Sequence, residues 1–359
     1  MVDGSSHVEL PRRFASGALT FFGVAIVSGP RRSSAELACF AVRPPSCWWP
    51  MPRPFFLDTD TASDDAVALV MALRHPDVEV VGIGVVAGNV PLDPAVQNAL
   101  YVAELCGADV PVHAGADRPL VLSLSTGQHV HGIDGMGDIG LPLTGRSPTP
   151  GHAVDALLAA AHRHAGSLTL VTLGPLTNIA IALRRDPTLA ARIERCVVMG
   201  AVADHIGNQT PVAEFNMWVD PHAVAVVLQS GLPLELVGWD ISRRHAVISP
   251  DEAVALRAIG TPLAEMCVDI QRVLTTFCQE ETKLAGFDLP DPIAMAYAID
   301  PAVATETRRV HCVVECDSPI TRGMVVMDLL GFSDRQPNAL VVTEADGSRF
   351  LEMLRRALS

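Results

Sequence analysis

From residue 51 onward, short apolar runs alternate with stretches of helical spacing, and this alternation narrows the possible folds more than any other feature of the chain. Pro54–Leu57 reads as a short strand that ends in a cluster of aspartates. Asp64 to Arg74 then carries apolar residues at helical spacing (Ala66, Val67, Leu69, Val70, Leu73) and stops before Pro76. Val78–Val86 is a continuous apolar run closing at Gly88-Asn89, and Pro94–Cys106 is helical up to its stop signal at Gly107. Leu168–Leu173 is another strand, followed by the Gly174-Pro175 break and a helix from Leu176. Cys196–Met199 and Leu234–Val237 are further strands, each behind a helix. Together these runs predict an α/β fold: a single large domain over 51–359 with a mostly parallel, Rossmann-like central sheet flanked by helices.

Composition supports a folded enzyme. Hydrophobic residues make up 49% and charged residues 18% of the 359, enough apolar material for a large core. Lys and Arg total 26 against 40 Asp and Glu, a net charge of −14. A field of that sign excludes a general partner role for nucleic acid or an anionic membrane surface, both of which need positive charge to meet phosphate. Eight cysteines without a Cys-x-x-Cys pair are too dilute for a disulfide scaffold, so a reducing, cytoplasmic location is expected. Cys312 and Cys316 read as buried free thiols.

Residues 1–50 differ from the rest. Arg12 and Arg13 precede an apolar stretch from Phe14 to Ser28 that has the outline of an export signal but is too short to span a bilayer as a helix. No small-x-small cleavage site follows, and Glu36 spoils the lipoprotein-like Leu37-Ala38-Cys39. Pro44, Pro45, Trp48, Trp49 and Pro50 form an irregular link to Met51. The segment is expected to be an unstructured or non-native extension ahead of a start at Met51, with an export signal as the other reading.

The chemistry gathers where strands end, since ligand sites of open parallel sheets lie at the carboxyl edge. Asp58-Thr-Asp60-Thr-Ala-Ser-Asp64-Asp65 places four carboxylates within eight residues at such an end. They repel one another and cannot all be desolvated without a cation. Oxygen-only ligands favour Ca²⁺ or Mg²⁺ over zinc. The alternative is a solvated acidic loop with Asp64 and Asp65 complementing a helix N-terminus. An EF-hand is excluded because Ala62, Ser63 and Leu69 occupy its fifth, sixth and twelfth positions. The Asp-x-Asp after a strand is also similar to haloacid-dehalogenase-like phosphatases, with Asp58 as nucleophile.

The Asp58-x-Asp60-x-x-x-Asp64-Asp65 pattern resembles the signature of the inosine–uridine-preferring nucleoside hydrolases. The resemblance continues, in family order, through Gly88-Asn89-Val90, Val130-His131-Gly132-Ile133-Asp134-Gly135, Leu173-Gly174-Pro175-Leu176-Thr177-Asn178, Gly207-Asn208 to Glu214-Phe215-Asn216, Val219-Asp220-Pro221 and Asp291-Pro292-Ile293-Ala294. It covers roughly residues 51 to 300. It implies a calcium-dependent hydrolase that splits a ribonucleoside into ribose and free base, working as a homo-oligomer (dimer or tetramer) in nucleoside catabolism and purine salvage. Carried over position by position, it makes Asp60 a Ca²⁺ ligand and the general base, Asp65 a bidentate ligand, and the Leu173 carbonyl a main-chain ligand. Asp291 becomes a further ligand that also reaches a ribose hydroxyl. Asp64 is implied to hold the ribose 2′-hydroxyl, and Asn208, Glu214 and Asn216 to clamp the ribose, the first two on its 5′ side. Asp58 and Asn89 support these groups, Asn89 from beside the substrate.

Two positions depart from the family pattern. Family members commonly carry His before the last metal-binding Asp, to protonate the departing base, and here that position is Pro290. His131 is the substitute candidate for that role. Met199-Gly200-Ala201 stands where two glycines are usual, which is expected to alter only a turn. Trp218, Trp239 and Phe287 are candidates to stack on the base. Residues 120–150 read as a mobile loop and 242–290 as the opposite wall, where base specificity is expected to be set. A nucleoside or ribose binder without turnover is the non-enzymatic alternative.

Overall fold

The computed structural model describes residues 52–359; the expectations for residues 1–50 lie outside that range. Twelve strands occur among the described residues, eight of them in one sheet. In chain order these are β1 (Arg53–Thr59), β2 (Val78–Val85), β3 (Val112–Ala114), β4 (Leu168–Thr172), β5 (Ile193–Met199), β6 (Leu234–Val237), β7 (Val247–Ile248), β8 (Phe287–Asp288), β9 (Ala304–Val310), β10 (Cys312–Val314), β11 (Val325–Met327) and β12 (Ala339–Ala345). The large sheet runs β3-β2-β1-β4-β5-β6-β12-β9, and all its neighbours are parallel except the β12–β9 pair at one edge. The small pairs β7–β8 and β10–β11 are antiparallel.

Strand β1 shows why the sequence reads as continuous rather than alternating apolar. Side chains alternate across a sheet, and a parallel sheet covered on both faces buries both sets. Phe55 and Leu57 join the core layer that holds helices Ser63–Arg74, Leu92–Leu105, Pro290–Ile299 and Gly347–Leu358. Phe56 joins the opposite layer, with helices Ala153–Arg163, Thr177–Arg185 and Pro221–Leu228. The result is the expected α/β domain, helices on both faces of a mostly parallel sheet.

Element limits differ from the sequence reading by one to three residues at half of the strand ends it gave. Leu234–Val237 is a strand as expected, and β1 extends through Asp58 and Thr59. The helix expected from Pro94 begins two residues earlier, because proline is tolerated in a first helical turn. Within 120–150 the only helix is the short Gln128–His131. The 242–290 wall is largely helical, with Pro250–Arg257, Pro262–Asp269 and Arg272–Phe277, the last running into a π-helical turn at Cys278–Thr282. No helix of the described residues is long and apolar enough to cross a membrane. Cys312 is buried and Cys316 half-buried, both as free thiols.

Candidate active site

The strand order reverses at β1, which pairs with β2 on one side and β4 on the other. Such a switch point opens a crevice at the carboxyl ends of the strands. Asp60 follows β1 there, Asn89 follows β2 and Leu173 follows β4. The resulting cleft is lined by Asp64, Asn89, Leu173, Asn208, Glu214, Asn216 and Asp291 on its polar side. Its other side is aromatic and aliphatic, with Trp239, Leu274, Phe277 and Pro290.

The aspartate cluster is buried throughout: Asp58, Asp60, Asp64, Asp65 and Asp291 are each at most 5% exposed. Asp65 is held hardest. Its Oδ1 accepts from the Thr59 hydroxyl at 2.5 Å, and its Oδ2 accepts from the Ala62 amide at 2.9 Å and the Asn89 side chain at 3.3 Å. Ala62 has no side-chain oxygen to cap the helix Ser63–Arg74, so Asp65 turns back to its amide instead. Asp60 Oδ2 accepts from the Asn89 amide at 2.6 Å, whereas Asp60 Oδ1 and Asp64 Oδ1 are buried without a hydrogen-bond partner. Asp58 Oδ2 accepts from the Asn178 side chain at 2.9 Å.

Burial raises every one of these carboxyls. Asp60 and Asp64 stand well above the usual carboxylate range, first through desolvation and then through the charge of Asp65. Asp291 stands high for the same reasons, with Asp64 and Asp60 adding to Asp65. Asp65 is raised by desolvation and pulled back by its Thr59, Ala62 and Asn89 hydrogen bonds. Asp58 is pushed up to about 7 by burial. Among the described residues, no Lys or Arg lines the cleft.

Buried like charges, orphaned carboxylate oxygens and an all-oxygen donor set fit a divalent cation, whose charge offsets the desolvation. One oxygen each from Asp64, Asp65 and Asp291 lie within 4.8 Å of one another. This set overlaps the one the sequence implied in Asp65 and Asp291. It brings in Asp64, expected at the ribose, and leaves Asp60 beside it. Leu173 lines the same cleft, and its carbonyl accepts from the Asn216 side chain at 2.7 Å.

The clamp residues come from the loop after β5 and the helix Phe215–Val219. Glu214 caps that helix, accepting from the Asn216 amide at 2.8 Å and the Met217 amide at 3.2 Å. It also accepts from the Ala201 amide at 3.2 Å, and burial pushes it up to about 7. Ala201 adopts φ 68°, a left-handed conformation unfavourable for a residue with a Cβ. The missing second glycine is therefore a strained residue that orients Glu214, more than an altered turn. Asn208 Oδ1 accepts from the Phe215 amide at 2.9 Å, leaving its amide hydrogens available to a ligand.

His131 is 6% exposed, with Nδ1 at 2.8 Å from Ser63 Oγ and 3.6 Å from Asp64 Oδ1. Burial pushes its imidazole down to about 3, so the contact with Asp64 is not an ion pair at neutral pH. Of the three stacking candidates, Trp239 lines the cleft. Trp218 lies under the Arg322 guanidinium, 4.0 Å away, and Phe287 packs in the core. The sequence reading missed Phe277, Leu274, Cys278, Thr282 and Asp288, which complete the cleft wall. Asp288 had one available signal: in extended chain it shares a face with Pro290 two residues on.

Comparison with known proteins agrees with this geometry. Residues 55–352 match the family described as inosine-uridine preferring nucleoside hydrolase. A pyrimidine-specific ribonucleoside hydrolase, RihA, from Salmonella gallinarum is 34% identical over 310 residues, covering 86% of this chain and 99% of that protein. A purine-preferring ribonucleoside hydrolase from Gardnerella vaginalis superposes with a TM-score of 0.79 at 29% identity, over 85% of this chain and 98% of that one. An inosine-guanosine nucleoside hydrolase superposes at 0.78 with 30% identity, over 85% and 98%.

Proposed function

This chain belongs to the inosine-uridine preferring nucleoside hydrolase family, and from that premise we propose that it hydrolyses the N-glycosidic bond of ribonucleosides with Ca²⁺ as its metal ion. The observation that carries the reading is the buried set Asp60, Asp64, Asp65 and Asp291 at the switch point, beside an amide-and-carboxyl clamp suited to a sugar. Hard oxygen donors and a flexible ligand count suit calcium better than zinc.

The cation, when bound, lowers the pKa of a water and helps neutralise the carboxylates. Asp60 supplies the base: its Oδ1 has no hydrogen-bond partner within the fold and so is open to take a proton from water. Asp64, through its own unpartnered oxygen, accepts from a ribose hydroxyl. Asn208 donates to the 5′ end of the sugar and Glu214 pairs with it. Cleavage builds positive charge on the ribose, and the fixed negative cluster stabilises that charge as it develops. Positioning by the clamp contributes part of the roughly 7–11 kcal/mol available to well-oriented reactants.

Asp60, Asp65, Asp291 and the Leu173 carbonyl serve the ion in this reading, with Asp64 able to bridge ion and sugar. His131 stays neutral and acts through Ser63 and Asp64. The relatives named above differ in base preference, so base choice rests on the Trp239–Phe277 wall of this chain. The same reading extends to a cytoplasmic homo-oligomer in nucleoside salvage; the free thiols at all six described cysteines suit a reducing compartment.

The test is ribose release by the full-length protein from a panel of purine and pyrimidine nucleosides, with and without a calcium chelator, and with Asp60→Ala. Release abolished by both controls supports the reading. Tight nucleoside binding without ribose selects the non-catalytic binder.

A further inference from the structure

A departing base normally leaves with the electron pair of the broken C1′–N bond and needs a proton to stabilise it. At the base end of this cleft the usual donor position is Pro290, which has no proton to give. His131 is turned to Ser63 through Nδ1. The Cys278 thiol is pushed up to about 12 by burial, which makes it a poor acid. His129 is exposed at the lip, edge-on to the Phe277 ring with centroids 5.9 Å apart.

What the base end does offer is negative charge and π faces. Asp288 lines the cleft at 3% exposure, its Oδ2 accepting from Ser242 Oγ at 2.7 Å and its Oδ1 from Cys278 Sγ at 3.6 Å. Burial raises this carboxyl, and a cation beside it would favour its ionised form. Trp239 and Phe277 present rings on the same wall, and Glu280 and Glu281 stand at its outer mouth. Arg243, the one Arg or Lys lining that mouth among the described residues, lies over the Trp239 ring at 4.6 Å and is paired with Asp204.

Resting on the hydrolase reading above, we infer that the preferred substrates are ribosides whose base already carries positive charge on the ring bearing the glycosidic nitrogen, such as pyridinium ribosides and N7-alkylated purine ribosides. For these the chemistry balances without an acid. Water attacks C1′ and gives its proton to Asp60. The C1′–N bond breaks, and its electron pair neutralises the cationic ring, which departs as a neutral base. Asp288 and the two aromatic rings hold the cation before cleavage, through charge and cation–π contact.

The experiment measures kcat/KM of the full-length protein with calcium for 7-methylguanosine against guanosine, and for nicotinamide riboside against uridine. We expect the charged member of each pair to lead by about 100-fold or more, the scale of a missing general acid. Asp288→Asn should shrink that ratio about tenfold through loss of one charge contact, with circular dichroism confirming the fold. The exposed pair Glu280→Gln/Glu281→Gln should shrink it in a salt-sensitive way and carries little risk to folding. Pro290→His should raise guanosine hydrolysis and narrow the ratio. Guanosine and uridine turning over within tenfold of their charged partners overturns the inference and leaves the hydrolase reading intact. A ratio unmoved by both carboxylate variants overturns it as well, as does a collapse of guanosine hydrolysis in His129→Gln. No hydrolysis of any of the four ribosides removes the hydrolase reading itself.

Discussion

The side-chain amide of Asn216 donates to the carbonyl oxygen of Leu173 at 2.7 Å, tying the helix after β5 to the end of β4. The residue assigned to the sugar clamp thus also fixes the direction of the main-chain oxygen assigned to the ion. Asn216→Ala removes a buried hydrogen bond and lets that carbonyl turn. Calcium affinity, followed by isothermal titration, should fall about 10–100-fold, the range for partners that orient a metal ligand. Unchanged affinity with only KM affected would restrict Asn216 to the sugar.

Asp60→Asn keeps the shape of the base and removes its charge. Ribose release should fall by about 10²–10⁴ in kcat. In chelator, the same variant should melt higher than the wild type, because it relieves repulsion with Asp64 and Asp65. A variant that melts lower in chelator contradicts the account of the cluster as unstable without a cation.

Gly174 and Gly88 flank Asp60 closely. A Cβ at Gly174 would stand 2.7 Å from Asp60 Oδ1, and one at Gly88 2.1 Å from Asp60 Oδ2. Gly174→Ala must therefore push the carboxylate aside. A displacement near 1 Å costs about 100-fold in rate, so kcat should fall on that scale while circular dichroism stays that of the wild type.

The dependence of stability on pH follows from the buried carboxyls. Burial pushes Asp58 and Glu214 up to about 7, from ordinary values of 3.8 and 4.5. Between those values the folded chain keeps protons that the unfolded chain has released. Each group therefore favours folding fully only below about pH 4, and the advantage drains away as pH rises to about 7. The slope is at most about 1.4 kcal/mol per pH unit for each group. In chelator, the Tm of wild type should drop more between pH 5 and 7 than that of Glu214→Gln. With calcium, the gain in Tm should grow with pH, because binding requires deprotonated ligands. Equal slopes for the two proteins in chelator would remove Glu214 from the account.

Much of this molecule was readable in one dimension. The βα alternation gave the sheet and its two helical layers because period and strand length are properties of neighbouring residues. The aspartate cluster was readable for the same reason: Asp58, Asp60, Asp64 and Asp65 occupy the end of one strand and the start of one helix, and their repulsion follows from spacing alone. Leu173 and Glu214 were found through the resemblance, since a backbone carbonyl and a helix-capping glutamate carry no chemical signal of their own.

Contacts between distant segments were not readable. Trp239, Trp218 and Phe287 look alike in sequence, yet one lines the cleft, one lies under Arg322 and one packs in the core. Phe277 and Asp288 reach the cleft only because a π-helical turn and the short β7–β8 pair fold the 242–290 segment over it. By itself the sequence determined five of the eight strands of the large sheet, the helices that follow three of them, and which carboxylates would crowd at a strand end. Only the tertiary structure decided that Asp64 stands with Asp65 and Asp291, that His131 is buried neutral against Ser63, and that Asp288 lines the cleft with Pro290. Those outcomes depend on strand order and on desolvation, which arise when remote surfaces close on one another and water is excluded between them.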